Sequence, residues 1–309
     1  MALLLLKQIV SLFLIMACGF LLVRMRLLQA SDSRALSVMS IYLVVPCVII
    51  KSFQIELTEE LRNGFLLATA SAALVHVCLL GVSFLLRRFC GMDAVERASV
   101  MYSNAGNLII PLVTAILGDE WVIYASAFIC VQQFFLWTHC QTIMSGQSGV
   151  NWKKLLGNVN LISILVGLAL MLLRIRLPDI LLSSVNSIAA TIGPVCMIML
   201  GMLLADADLK AIVTDRRVYL VALLRLIAMP LLMLCVLKLT GLAGRVPEGK
   251  TILYVSYMAM ITPAATTITQ LSQLYNARPA FASAVNVMTT LLCIVTMPLI
   301  ILIYQTIFI

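Results

Sequence analysis

The chain is poor in charge. Only 11% of its 309 residues are Asp, Glu, Lys or Arg, and the acids number 13. No aspartate or glutamate lies deep in any long apolar run. Carriers coupled to protons or sodium often keep such a carboxylate as the ion site. Coupling to H+ or Na+, if present, therefore falls to backbone carbonyls and to Asn, Thr and Gln groups. Histidine is almost missing: there are only His76 and His139, and neither has a carboxylate partner within its run. That argues against a membrane enzyme, which needs a nucleophile with a base or a metal cluster at one depth. His139 reads as a buried or interfacial histidine. The nine cysteines form no CxxC pair and are scattered through apolar stretches, Cys18, Cys47, Cys78, Cys130, Cys196 and Cys293 among them. They read as small packing residues, so neither a metal nor another cofactor is expected. No phosphate-binding glycine loop is visible, which argues against ATP-driven transport by this chain alone. No basic cluster alternates with aromatics, so no nucleic-acid partner is expected.

What the chain has in quantity is hydrophobicity. Residues of apolar type make up 62% of it. A soluble domain of this size cannot hide so much apolar surface. The runs are continuous and do not alternate, which excludes a β-barrel. The expected fold class is an all-α polytopic membrane protein in the lipid bilayer. Ten spans are expected, near Leu3–Val23, Arg34–Phe53, Phe65–Leu86, Val95–Leu117, Trp121–Met144, Val159–Leu173, Ile180–Leu204, Val218–Leu239, Ile252–Leu274 and Ala280–Tyr304. The first continues past the length of a signal peptide and reads as a membrane helix. The net charge of +8 fits Lys and Arg in cytoplasmic loops. With the N-terminus outside, twelve basic residues fall in inside loops and eight in outside segments. Both termini are thus expected on the non-cytoplasmic side of the cell (plasma or inner) membrane.

Two halves repeat. A shift of 148 residues lays Gly19 on Gly167, Arg26 on Arg174 and Pro46 on Pro194, and a shift of 152 lays Pro111 on Pro263. The expected division is a first five-helix repeat over 1–144, a cytoplasmic loop over 145–157, and a second repeat over 158–309. Five is odd, so the halves enter the membrane in opposite orientation, as in secondary transporters.

The fourth span of each half contains helix breakers. Ser103-Asn104-Ala105-Gly106-Asn107-Leu108-Ile109-Ile110-Pro111 places two asparagines, a glycine and a proline inside an apolar run. Its counterpart is Thr262-Pro263-Ala264-Ala265-Thr266-Thr267, followed by Gln270. Backbone groups freed in hydrocarbon cost several kcal/mol each unless protein or water satisfies them. The usual reason for such a break is a binding site. Half-helix N-termini carry positive potential and favour an anion such as a carboxylate. Candidate ligands are Ser103, Asn104, Gly106, Asn107, Thr262, Thr266, Thr267 and Gln270, with Pro111 and Pro263 as the helix breaks. Gln132 and Gln133 are adjacent, so one of them at most is expected to face the site. Asn286, Thr289 and Thr290 are expected to support the second break. Arg225 lies about 10 Å along the eighth span. It is expected to snorkel to the interface or to pair with Asp215.

These stretches resemble the auxin efflux carrier family, which includes bacterial carriers and the plant PIN carriers. The resemblance covers almost the whole chain. It rests on SNAGNLIIPL (Ser103 to Leu112), on Gly167 through Pro178 to Pro194 and Gly201, on Pro263 to Tyr275, and on Ala280 to Pro298. It implies two inverted five-helix repeats whose broken fourth and ninth helices cross at Asn104, Gly106, Pro111 and Pro263. It also implies a scaffold of spans one, two, six and seven, through which a homodimer would form, and a moving unit of spans three to five and eight to ten. The implied activity is alternating-access transport of small organic anions such as malonate, malate or auxin-like acids. The chain departs from the family pattern at Ile109, where a second glycine is usual, and at Asn107, where an apolar residue is common. A β-branched residue stiffens the break, so the substrate is expected to differ from that of the relatives. The rival readings are a sodium-coupled symporter of the bile-acid-carrier type and a membrane sensor without flux.

Overall fold

A computed structural model describes residues 2–146, 156–205 and 215–308, with side chains except at 2–9, 106 and 107. Lys153, Lys154 and Lys210 of the charge count, and most of the expected 145–157 loop, lie outside the described residues. The described residues are helical, with one isolated β-bridge. In chain order the helices are α1 (Ala2–Arg24), α2 (Ala30–Ser52), α3 (Glu59–Cys90), α4a (Ala94–Met101), α4b (Ile110–Ile116) and α5 (Asp119–Ser145). They continue with α6 (Val159–Leu172), α7 (Asp179–Ala205), α8 (Arg216–Leu239), α9a (Gly249–Met260), α9b (Thr266–Leu274) and α10 (Pro279–Phe308). Six of these, α2, α3, α5, α7, α8 and α10, are long and apolar enough to cross a membrane unbroken. The expected fourth and ninth spans are each interrupted, which is why neither forms one long helix.

Local sequence explains the starts and the irregularities. Thr58, Asp93, Asn158 and Asp215 cap the first turns of α3, α4a, α6 and α8 through their side-chain oxygens. Pro46, Pro111 and Pro230 share one setting. Each follows a five-residue π-turn (Ser40–Val44, Ala105–Ile109 and Leu224–Ala228) and sits in the first turn of the α-helix beyond it. Proline has no N–H and its ring clashes with the carbonyl four residues back. A wider turn relieves both problems without ending the helix. Pro111 is therefore not the break expected from the sequence. The chain leaves the helix earlier, at Tyr102, whose backbone is extended (φ −96°, ψ 126°).

The helices pack in two groups. The α1 helix runs against the second half of α7, and α2 packs on α6 and on the first half of α7. In the other group α3 packs on α5 and α9a, while α10 packs on α8 and α9b. The α1–α7 contact is backbone to backbone. A Cβ at Gly201 would lie 1.9 Å from the Met16 carbonyl oxygen, and one at Gly19 would lie 2.2 Å from that of Ile198. Small residues that let backbones touch are a means of helix association in lipid, where apolar burial gives little drive. On the face that carries the starts of α4a, α8 and α10, Glu96 is buried and accepts from Arg217 at 3.1 Å and from Arg278. Arg278 also pairs with Asp93.

Gly201→Ala should destabilise the purified protein by about 1–3 kcal/mol, the range for forced overpacking. Gly81→Ala should not destabilise and should gain up to about 1 kcal/mol, since nothing lies within 4 Å of the place its methyl group would take and alanine is favoured over glycine in a helix interior. Thermal unfolding in detergent tests both, and a wild-type midpoint for Gly201→Ala would refute the close approach.

Candidate functional site

The two interrupted helices meet at their gaps. Ser103 and Ala264 form the isolated bridge, antiparallel. The Asn104 N–H donates to the Pro263 carbonyl at 2.8 Å, and the Ala265 N–H donates to the Tyr102 carbonyl at 3.0 Å. The outer edge of each extended segment is closed by a neighbouring helix. From α5, Gln132 Oε1 accepts from the Ser103 N–H and Oγ–H, and Gln132 Nε2 donates to the Ser103 carbonyl at 2.9 Å. From α10, Thr289 Oγ1 accepts from the Ala264 N–H at 3.2 Å, and Asn286 Nδ2 donates to the Ala264 carbonyl at 2.8 Å. Asn286 and Thr289 thus hold the backbone of the second break, whereas the Thr290 hydroxyl bonds back to the Asn286 carbonyl of its own helix at 2.8 Å. Proline suits position 263, because it brings no N–H that would need a partner there.

Arg225 does not behave as the sequence implies. It neither snorkels nor pairs with Asp215. It is fully buried, and Asp215 instead caps the start of α8 by accepting from the Arg217 N–H. The guanidinium donates to the carbonyls of Val100, Met101, Met260 and Thr262. Those oxygens end α4a and α9a, so one side chain caps both half-helices. The physical reason is direct: last-turn carbonyls have no partner within their own helix, and lipid supplies none.

A cavity of about 420 Å³ opens beside the crossing. Ser103, Asn104, Gln132 and Gln133 line it from the first half, and Ala265, Thr266, Thr267 and Gln270 from the second. Its far wall comes from α2, α6 and α7: Ser33, Arg34, Ser37, Tyr42, Asn158, Asn160, Met199 and Leu203 contribute. Both glutamines reach the cavity, against expectation, because it is wide enough to span the 100° between neighbours on a helix. Thr262 does not line it; its hydroxyl bonds back to Ala259 at 3.0 Å, a common habit of threonine in helices. Ile109 is fully buried and also stands apart from the lining. Gly106 and Asn107 lie in the π-turn after the break, and their side chains lie outside the described residues. His139 is half-buried, with Nδ1 2.9 Å from the Tyr102 hydroxyl. His76 is buried against Phe128 and Phe135.

Two features give the cavity its chemistry. The first is Asn104, which is 4% exposed and whose Nδ2 has no hydrogen-bond partner among the described residues. A buried amide donor left without a partner costs about 1–3 kcal/mol. The second is charge. Among the described residues the lining holds one cation, Arg34, and no carboxylate. Arg34 is exposed and enters no ion pair among the described residues. In the sequence Arg34 reads only as a topology charge. Nor does the sequence point to Asn158, Asn160 or Tyr42, since nothing local shows which helix faces the break.

Gln132→Leu should strand the Ser103 N–H and carbonyl and cost about 1–3 kcal/mol for each. Asn104→Ala should cost far less stability, because its Nδ2 loses no partner. Paired thermal unfolding curves compare them, and equal midpoints for the two variants would contradict the bonding described.

No curated protein matches the chain. A family model described as membrane transport protein matches residues 4–151 and 147–301. Those matches take in both broken helices and the cavity between the two groups. The chain belongs to this membrane transport family, of the auxin efflux carrier type, and is a multi-pass membrane protein.

Proposed function

We propose that the protein is a secondary carrier of small organic anions, carboxylates such as malonate, malate or auxin-like acids, working by alternating access. The observation that carries this reading is the cavity at the crossing, with an unpaired Asn104 amide and, among the described residues, one arginine and no acid in its lining. A carboxylate would accept from Asn104 and sit near the N-terminus of α9b, where helix N–H groups and the dipole favour negative charge. Thr266, Thr267 and Gln270 would complete its shell, and Arg34 would draw anions to the mouth. The ten-helix arrangement in two inverted repeats belongs to this proposal. It is supported by the matched bonding at the crossing, where α5 serves Ser103 as α10 serves Ala264. The pairing of α1 with α7 and of α2 with α6 supports a scaffold distinct from the moving unit.

In this reading the conformation is the inward-facing state of the cycle. The cavity is walled by the starts of α2 and α6 and the end of α7, the side expected to be cytoplasmic from its basic loops. At the opposite end of α2, Lys51 donates to Asp119 at the start of α5, at 2.5 Å. Arg34 and Lys51 are separated by about 25 Å of helix. The ion pair ties scaffold to moving unit on the closed side, and the state is inward-facing.

Asn104→Ala should lower uptake into proteoliposomes about 10–100-fold with folded yield intact, the worth of one hydrogen bond to a charged group. A thermal-shift screen against mono- and dicarboxylates should find ligands that stabilise the wild type and not the variant. Full uptake by Asn104→Ala would remove that residue from the site. Lys51→Ala should speed hydrogen exchange around 117–121 and slow it around 266–274, as outward-facing states gain population. An unchanged exchange pattern would sink the latch.

A further inference from the structure

We propose that the Arg225 guanidinium is a built-in cation that fills the carbonyl cage between the two broken helices, so that the crossing needs no bound alkali ion. Half-helix C-termini and unwound carbonyls are the groups that bind sodium in many carriers with broken helices. Here four such oxygens, from Val100, Met101, Met260 and Thr262, converge on one point, and Arg225 already occupies it. Its Nε donates to Thr262 at 3.1 Å, Nη1 to Val100 at 3.0 Å and to Met101 at 3.3 Å, and Nη2 to Thr262 at 2.9 Å and to Met260. An arginine has five N–H donors, so these contacts use them all. The residue has 0% exposure, which leaves no room beside it for a hydrated ion.

The charge is balanced without a carboxylate. None of the ion pairs among the described residues involves Arg225. Each helix C-terminus carries about −0.5 elementary charge. The ends of α4a and α9a together therefore supply about −1, which matches one guanidinium. The geometry sorts charge across the crossing. Helix N-terminal potential and the Asn104 amide face the cavity, and the C-terminal potential is consumed by Arg225 on the far side. A bare sodium ion would do the same electrostatic work but would have to arrive and leave with each cycle. The guanidinium is held by α8 and travels with the crossing. Its anchorage is specific, since it projects from the π-turn Leu224–Ala228 that precedes Pro230.

This inference deepens the carrier reading by assigning its ion requirement, yet it rests on the crossing geometry alone. The test therefore needs no substrate. Thermal unfolding of purified wild type, Arg225→Ala and Arg225→Lys is compared in chloride salts of sodium, potassium, choline and guanidinium at equal low-millimolar concentration. Wild type should unfold at one midpoint in all four. Arg225→Ala should unfold lower in choline and recover by a few degrees in guanidinium, which refills the cage. Arg225→Lys should fall between the two, because an ammonium has three donors on one atom and cannot span four carbonyls, and guanidinium should not rescue it. A wild-type midpoint that rises in sodium over potassium would overturn the proposal. So would Arg225→Ala as stable as wild type in choline, or a folded Arg225→Ala that guanidinium fails to rescue. If Arg225→Ala does not fold, a wild-type midpoint for Arg225→Lys in choline overturns it, and an intermediate one supports it. A protein that transports no carboxylate but behaves in this way would count against the carrier reading and leave the cage standing.

Discussion

The structure depends on one small exchange of hydrogen bonds between two interrupted apolar helices. Two helices stop, and the exposed backbone of each is satisfied by the other through Asn104 to Pro263 and Ala265 to Tyr102. Water is absent from the bilayer core and each open group would cost several kcal/mol. Two bonds cannot serve every group, and much of the remaining polar inventory of the spans follows from that. Gln132 closes one edge and Asn286 with Thr289 closes the other. Arg225 takes the carbonyls at the ends of both half-helices. Polar residues that would be costly in lipid are present because the breaks give them partners.

The same economy singles out Asn104. Its backbone N–H is committed to the bridge while its side-chain amide is not. Around it, serine, glutamine and threonine from the crossing face arginine and asparagines from α2 and α6 across the cavity. A site shared between two packed groups changes shape when one slides against the other. Under the proposed alternating-access cycle, the close packing of α1 on α7 at Gly19 and Gly201 would give the moving group a rigid partner.

How much of this is legible in the sequence varies by residue. Ser103–Pro111 and Thr262–Gln270 stand out because Asn, Gly and Pro inside a membrane run contradict their surroundings. Pro111 misleads, because a proline marks a disturbance in the ladder without saying whether the helix ends or merely widens. Thr262 and Ile109 are tied to the site by neighbourhood along the chain, yet one bonds to its own helix and the other points into the core. Arg34 and Asn160 cannot be found at all, since their role depends on a helix distant in sequence.

The sequence by itself determined that the chain is a multi-pass helical protein, that two of its apolar runs carry helix breakers, and that no carboxylate lies deep in an apolar run. These follow from composition and local pattern, and hydrocarbon enforces them on any fold. Only the tertiary structure decided where Arg225 points and which residues wall the cavity. A side chain on a helix has several directions open to it, and the choice is made by unsatisfied groups on other helices. For Arg225 those groups are the carbonyl ends of α4a and α9a, well over a hundred and about forty residues away in the chain, and nothing in the local sequence announces them.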